Sequence, residues 1–233
     1  MSGMAHDGAA RLAALGVVGI ALMGLLGVLQ ALGAAPDAFD LDEEYTVPAF
    51  YSGLLLAVAA LGAHRLARRQ EGIDRTLLLL TACLFAFLSL DEVFSFHERL
   101  GDRTGIHWQF LYVPLGLAFV AAIWRVTGFL GRRAPESRMI FLALAAWLVA
   151  QLLEAVAYSP LLPSLIDVDT MSQAHIDSIR HSLRYQALAI PEELLEMAGA
   201  LLFAVAFARV LDRRAPAVTK MARRYGRRQE VRD

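Results

Sequence analysis

Six stretches of about twenty mainly apolar residues constrain this chain more than any other feature. They fall at 10–34, 47–66, 76–96, 109–130, 138–158 and 188–211. A bilayer core roughly 30 Å thick takes about 20 apolar residues of helix. Inside it, every backbone polar group must find its partner within the protein. The pattern predicts an all-α polytopic membrane helix bundle of about six transmembrane helices over residues 1–211, followed by a basic tail at 212–233. The hydrophobic fraction of 57%, against about 45–50% for an average soluble domain, points the same way. The first stretch follows Arg11 and is longer than the apolar region of a signal peptide. It reads as a retained span.

Basic residues in the connections set the expected orientation. Eighteen lie on the side that holds Arg11, Arg65 to Arg75, Arg125 to Arg138 and the tail, and four lie on the other: Arg99, Arg103, Arg180 and Arg184. This predicts a multi-pass protein of the bacterial cytoplasmic (inner) membrane with both termini cytoplasmic. The basic tail is expected to lie against anionic lipid headgroups, and no nucleic-acid partner is expected. Lys220 is the single lysine and sits in the tail, which excludes a retinal Schiff base in the bundle. The single cysteine, Cys83, excludes an intrachain disulfide or a Cys-based metal site; it reads as a packing residue.

The acids divide the opposite way. Sixteen of the twenty-three belong to the exported side or lie just inside its boundary, a bias that insertion rules do not require. The third span ends in Asp91-Glu92-Val93-Phe94-Ser95-Phe96-His97-Glu98, where helical periodicity places Asp91, Ser95 and Glu98 on one face. The fifth carries Gln151 and Glu154. The sixth opens with Pro191-Glu192-Glu193, Pro191 suiting a helix start, and Glu196 follows one turn deeper. The macrodipole favours Glu192 and Glu193 in a first turn, but it does not cover Glu196. An ionised carboxylate inside a span costs roughly 2.5–3.5 kcal/mol on insertion scales unless it is paired or wetted. Cation binding or shared protonation is the natural compensation.

Histidines are biased to the same side, with His97, His107, His175 and His181 there and His6 and His64 opposite. Between the fifth and sixth spans, Thr170 to Gln173 has capping-box spacing, and Ile176, Ile179 and Leu183 follow at helical intervals. Residues 171–186 therefore read as an exported-side amphipathic surface helix, with Asp177, His181 and Arg184 on its polar face, lying over the carboxylates as a lid. The candidate metal ligands are Asp91, His97, Glu98, Glu154, Glu193 and Glu196. Glu44, His107 and His181 are secondary candidates, and Glu98 and Glu196 are the candidate catalytic residues. Oxygen and imidazole donors without thiolate suit a divalent metal: zinc, manganese or iron.

The Leu90-Asp91-Glu92 segment followed by His97-Glu98 resembles a pattern in uncharacterised bacterial polytopic membrane proteins. The resemblance implies a membrane helix bundle and names no activity. Paired Glu-x-x-His motifs, His-Glu-x-x-His and Gly-x-Ser-x-Gly are all absent from the sequence, which sets aside ferritin-like di-iron, zincin and serine-hydrolase chemistry.

Three functions fit these expectations. The first is a metal-dependent membrane hydrolase or oxidoreductase acting on a lipid or other amphiphilic small molecule. The second is a cation- or proton-coupled transporter. The third is a noncatalytic subunit that packs Gly16, Gly19, Gly24 and Gly27 against a membrane-protein partner.

Overall fold

The computed structural model describes residues 7–43, 45–104, 108–157 and 182–230. Helices are α1 Asp7–Ala31, α2 Val47–Ala67, α3 Gly72–Phe94, α4 Phe96–Thr104, α5 Trp108–Leu130, α6 Pro135–Ala157 and α7 Leu183–Glu230, with a 3-10 turn at Asp37–Phe39. All except α4 contain a segment long and apolar enough to cross a membrane, six in all among the described residues. The chain is a multi-pass helical membrane protein.

Contacts at the two ends show that successive spans alternate in direction. At one end the Ala9 N–H donates to Asp212 at 3.2 Å, Arg69 donates to the Leu211 carbonyl at 3.2 Å, and Arg213 pairs with Glu136 at 3.0 Å. The start of α1, the α2–α3 turn, the start of α6 and the far part of α7 thus meet at a basic end. At the opposite, acidic end the Tyr185 hydroxyl donates to the Asp42 carboxylate at 3.0 Å.

Helices that pass through lipid gain little from hydrophobicity against one another and depend on close packing and interhelical hydrogen bonds. Both are present. The Tyr51 hydroxyl donates to the Gly16 carbonyl at 2.9 Å, and the Ser89 hydroxyl donates to the Gly53 carbonyl at 2.7 Å. The glycines of α1 serve this packing within the chain, since Gly16 and Gly24 receive Leu201 and Leu194 of α7, Gly19 receives Tyr51, and Gly27 receives Leu41. Leu15, Val18, Leu22 and Leu25 form the outward face of α1. Cys83 also faces outward from α3, so it is not the packing residue its apolar surroundings suggested.

An aromatic layer closes the middle of the bundle. Phe85 of α3 meets Phe119 of α5 edge-on at 5.2 Å and Phe203 of α7 at 4.9 Å. Trp147 of α6 lies 5.2 Å from Phe203 and stacks on Phe119 at 5.4 Å. Such pairs contribute about 0.5–1.5 kcal/mol each beyond area burial.

Two boundaries differ from the sequence expectation. The third span does not run on through His97: α3 ends at Phe94, Ser95 takes a left-handed conformation (φ 50°), and α4 starts at Phe96. Asp91, Ser95 and Glu98 therefore do not share one helix face. The last helix starts at Leu183, with Pro191 inside it. Tyr185 and Ala189 pack against Ala157 at the end of α6, and this tertiary contact holds the turns before the proline. Residues 182–186 of the expected surface helix thus belong to this junction and helix; its remaining residues, 171–181, lie outside the described residues. Helix α7 continues into the basic segment as far as Glu230.

Candidate metal centre

Asp91 organises the break between α3 and α4. Its main-chain carbonyl accepts the Ser95 N–H at 2.7 Å, the last helical bond of α3, which ends at the left-handed turn of Ser95. Its Oδ1 accepts the His97 N–H at 2.9 Å, a capping bond at the first turn of α4. The same oxygen accepts the Tyr112 hydroxyl of α5 at 2.9 Å, while Oδ2 lies 3.2 Å from His97 Nδ1. Against an ionised carboxylate, Nδ1 is the donor, and in the neutral imidazole this leaves the lone pair on Nε2. This is how a carboxylate orients a histidine for a metal.

The three-carboxylate group stands beside this pair. One carboxylate oxygen each from Glu92 of α3 and from Glu193 and Glu196 of α7 lie within 4.8 Å of one another. Metal–oxygen bonds of roughly 2.0–2.6 Å put opposite ligand oxygens about 4–5 Å apart, so three oxygens at this separation could hold one ion. Glu196 is fixed from α6. Gln151 donates to its Oε1 at 3.3 Å, and Trp147 Nε1 donates to its main-chain carbonyl at 3.0 Å. Gly199 permits that approach, because a Cβ there would lie 2.5 Å from the Trp147 ring.

These side chains line one cavity of about 500 Å³ at the acidic end. Eight carboxylates face it, from Asp42, Glu43, Asp91, Glu92, Glu154, Glu192, Glu193 and Glu196, with His97 as the one basic side chain among the described residues. Asp91, Glu154 and Glu192 are buried. The lower wall is apolar, and Phe119 and Trp147 of the aromatic layer form part of it.

Of the residues singled out from sequence, Asp91, His97, Glu154, Glu193 and Glu196 come together around this cavity. Asp91 contacts His97 directly, and Glu193 and Glu196 form the three-carboxylate group with Glu92. Glu98 belongs to α4, with its side chain outside the described residues. Glu44, His107, His175 and His181 also lie outside them. Glu92 and Asp42 line the cavity as well, although the sequence pattern above does not single them out. For Glu92 the signal was present: Leu84, Leu88, Asp91 and Glu92 recur at helical spacing, and all four line the cavity. Nothing local distinguishes Asp42 from Asp40 or Glu43. It is singled out by Tyr185, 143 residues away.

Fold and site together define a class: a multi-pass helical membrane protein with an acid-lined cavity at one end of its bundle. Within that class, the chain belongs to the family described as Domain of unknown function (DUF8692), whose model matches residues 10–211. The match takes in nearly the whole bundle and every described cavity residue. No curated protein and no solved structure matches the chain.

Proposed function

We propose that this chain is a metal-dependent membrane enzyme, a hydrolase or an oxidoreductase, that acts on a lipid or other amphiphile. The convergence of Glu92, Glu193 and Glu196 within 4.8 Å, in a cavity shared with an imidazole already oriented by Asp91, carries this reading. The three glutamates would hold a divalent ion, zinc, manganese or iron, with His97 beside them as the nitrogen donor. A metal in such a site acts as a Lewis acid and makes bound water more acidic. Asp91 then orients His97, and Trp147 and Gln151 position Glu196. Glu154, buried in the cavity wall outside the three-carboxylate group, would take or give the proton.

The aromatic layer favours an enzyme over a transporter. A transported ion needs a polar path to the other face, and Phe85, Phe119, Trp147 and Phe203 stand across the bundle on the basic-end side of the cavity. The basic asymmetry of the connections supports an inner-membrane protein with the acidic end exported and both termini cytoplasmic.

Metal analysis of protein purified without chelator tests the proposal. One ion per chain, lost in Glu193→Gln and Glu196→Gln, is expected. Absence of any transition metal, with unchanged thermal unfolding after EDTA treatment, would overturn it.

A further inference from the structure

Toward the basic end, α5 and α6 are joined in register. The Ser137 hydroxyl donates to the Gly131 carbonyl at 2.9 Å, Trp124 meets Phe141 at 6.1 Å, and Phe119 stacks on Trp147 at 5.4 Å. Past this last pair, toward the acidic end, the residues that follow on both helices line the cavity: Gly116 and Val113 on α5, Gln151 and Glu154 on α6.

Two of these residues have a double position. Val113 lines the cavity and is also 52% exposed. Gly116 lines it and is exposed, and a Cβ built there meets nothing within 4 Å. The cavity wall and the outer surface of the bundle therefore coincide at this point. Both residues lie inside the candidate span Phe110–Leu130. The medium outside that surface is lipid, in which an opening without hydrogen-bonding groups of its own carries no unsatisfied polar cost.

We infer that the cavity opens sideways to the membrane at Val113 and Gly116, and that this opening admits the alkyl chain of a membrane amphiphile. The chain lies on the apolar wall formed by Leu88, Phe119 and Trp147, and the polar end of the molecule reaches the carboxylates. A cavity of about 500 Å³ suits a ligand-sized guest. The identity of the occupant rests on the amphiphile reading of the site, but the opening does not depend on the metal.

Trp147 reports on the occupant directly. The chain has three tryptophans, so a Trp108→Phe, Trp124→Phe variant keeps Trp147 alone, and a matched variant keeps the outward-facing Trp124 alone. Each is reconstituted in phosphatidylcholine vesicles with brominated acyl chains, and fluorescence quenching is read. Brominated chains should quench Trp147, and adding Gly116→Phe or Val113→Phe should reduce that quenching about twofold or more. Quenching of Trp124 should be unchanged by either substitution, which checks folding and insertion. Trp147 quenching that both substitutions leave intact, or no Trp147 quenching before them, overturns the inference. Zinc, manganese and iron content measured on the same samples keeps the two proposals apart: quenching retained with none of these metals bound rejects the metal site and leaves the opening.

Discussion

Asp91 holds His97 twice across six residues, accepting the backbone N–H at Oδ1 (2.9 Å) and meeting Nδ1 at Oδ2 (3.2 Å). One carboxylate thus starts a helix and sets the tautomer of a histidine that lines the cavity. In Asp91→Asn the amide can still accept the N–H, but its NH₂ would face Nδ1 and favour the other tautomer. Zinc affinity is expected to fall about 10–100-fold with little change in thermal unfolding. Competition against a chelating dye measures the first, and circular-dichroism melting the second.

The glutamate group should trade stability for binding. Three carboxylate oxygens within 4.8 Å repel when no cation lies between them. Glu193→Gln is therefore expected to raise the melting temperature of metal-free protein, by roughly 2–4 °C for each kcal/mol of repulsion removed. The same variant should weaken zinc binding by about 100-fold. Asp37→Asn, in the exposed 3-10 turn outside the cavity, should change neither.

Gly199 sets the separation of α6 and α7 beside the site. A methyl group there would lie 2.5 Å from Trp147 Cδ1 and 3.1 Å from the Ala143 carbonyl, and a carbonyl of another helix cannot move aside alone. Gly199→Ala is expected to destabilise by about 1–3 kcal/mol and to break the Trp147–Glu196 bond. A shift in Trp147 emission together with a lower melting temperature in detergent is the readout. An unchanged emission spectrum would contradict it.

At the basic end, Glu136 is buried and Arg213, 3.0 Å away, is half exposed. The second carboxylate oxygen of Glu136 is buried without a hydrogen-bond partner among the described residues. Removing the arginine leaves a buried charge uncompensated, whereas neutralising the glutamate does not. Arg213→Ala should destabilise by about 1–3 kcal/mol, Glu136→Gln by less, and the double variant should recover most of the loss. A double-mutant cycle on thermal or denaturant unfolding measures this.

The spans and the acidic end were legible because the bilayer imposes a length and a polarity on each segment independently of its neighbours. Six apolar runs each became a helix, and Asp91, Glu154, Glu193 and Glu196 were conspicuous because carboxylates are costly within such runs. The aromatic layer and the role of Gly199 were not legible, since Phe85, Phe119, Trp147 and Phe203 look like ordinary apolar residues until four helices are packed. Periodicity also misplaced Glu98 and Ser95 relative to Asp91. It assumes an unbroken helix, and the break at Ser95 depends on a side-chain cap and a hydroxyl from α5.

By itself, then, the sequence determined that the chain crosses a membrane as a helical bundle and that its acids gather at one end, because burial in lipid acts on each segment separately. Only the tertiary structure decided which acids meet. Glu92 joins Glu193 and Glu196 because α3 and α7 face each other across a cavity, and Asp91 turns toward His97 because the helix ends between them. Those are relations of distance between segments, carried by packing at Gly199, Trp147 and Tyr112 that no single stretch of sequence contains.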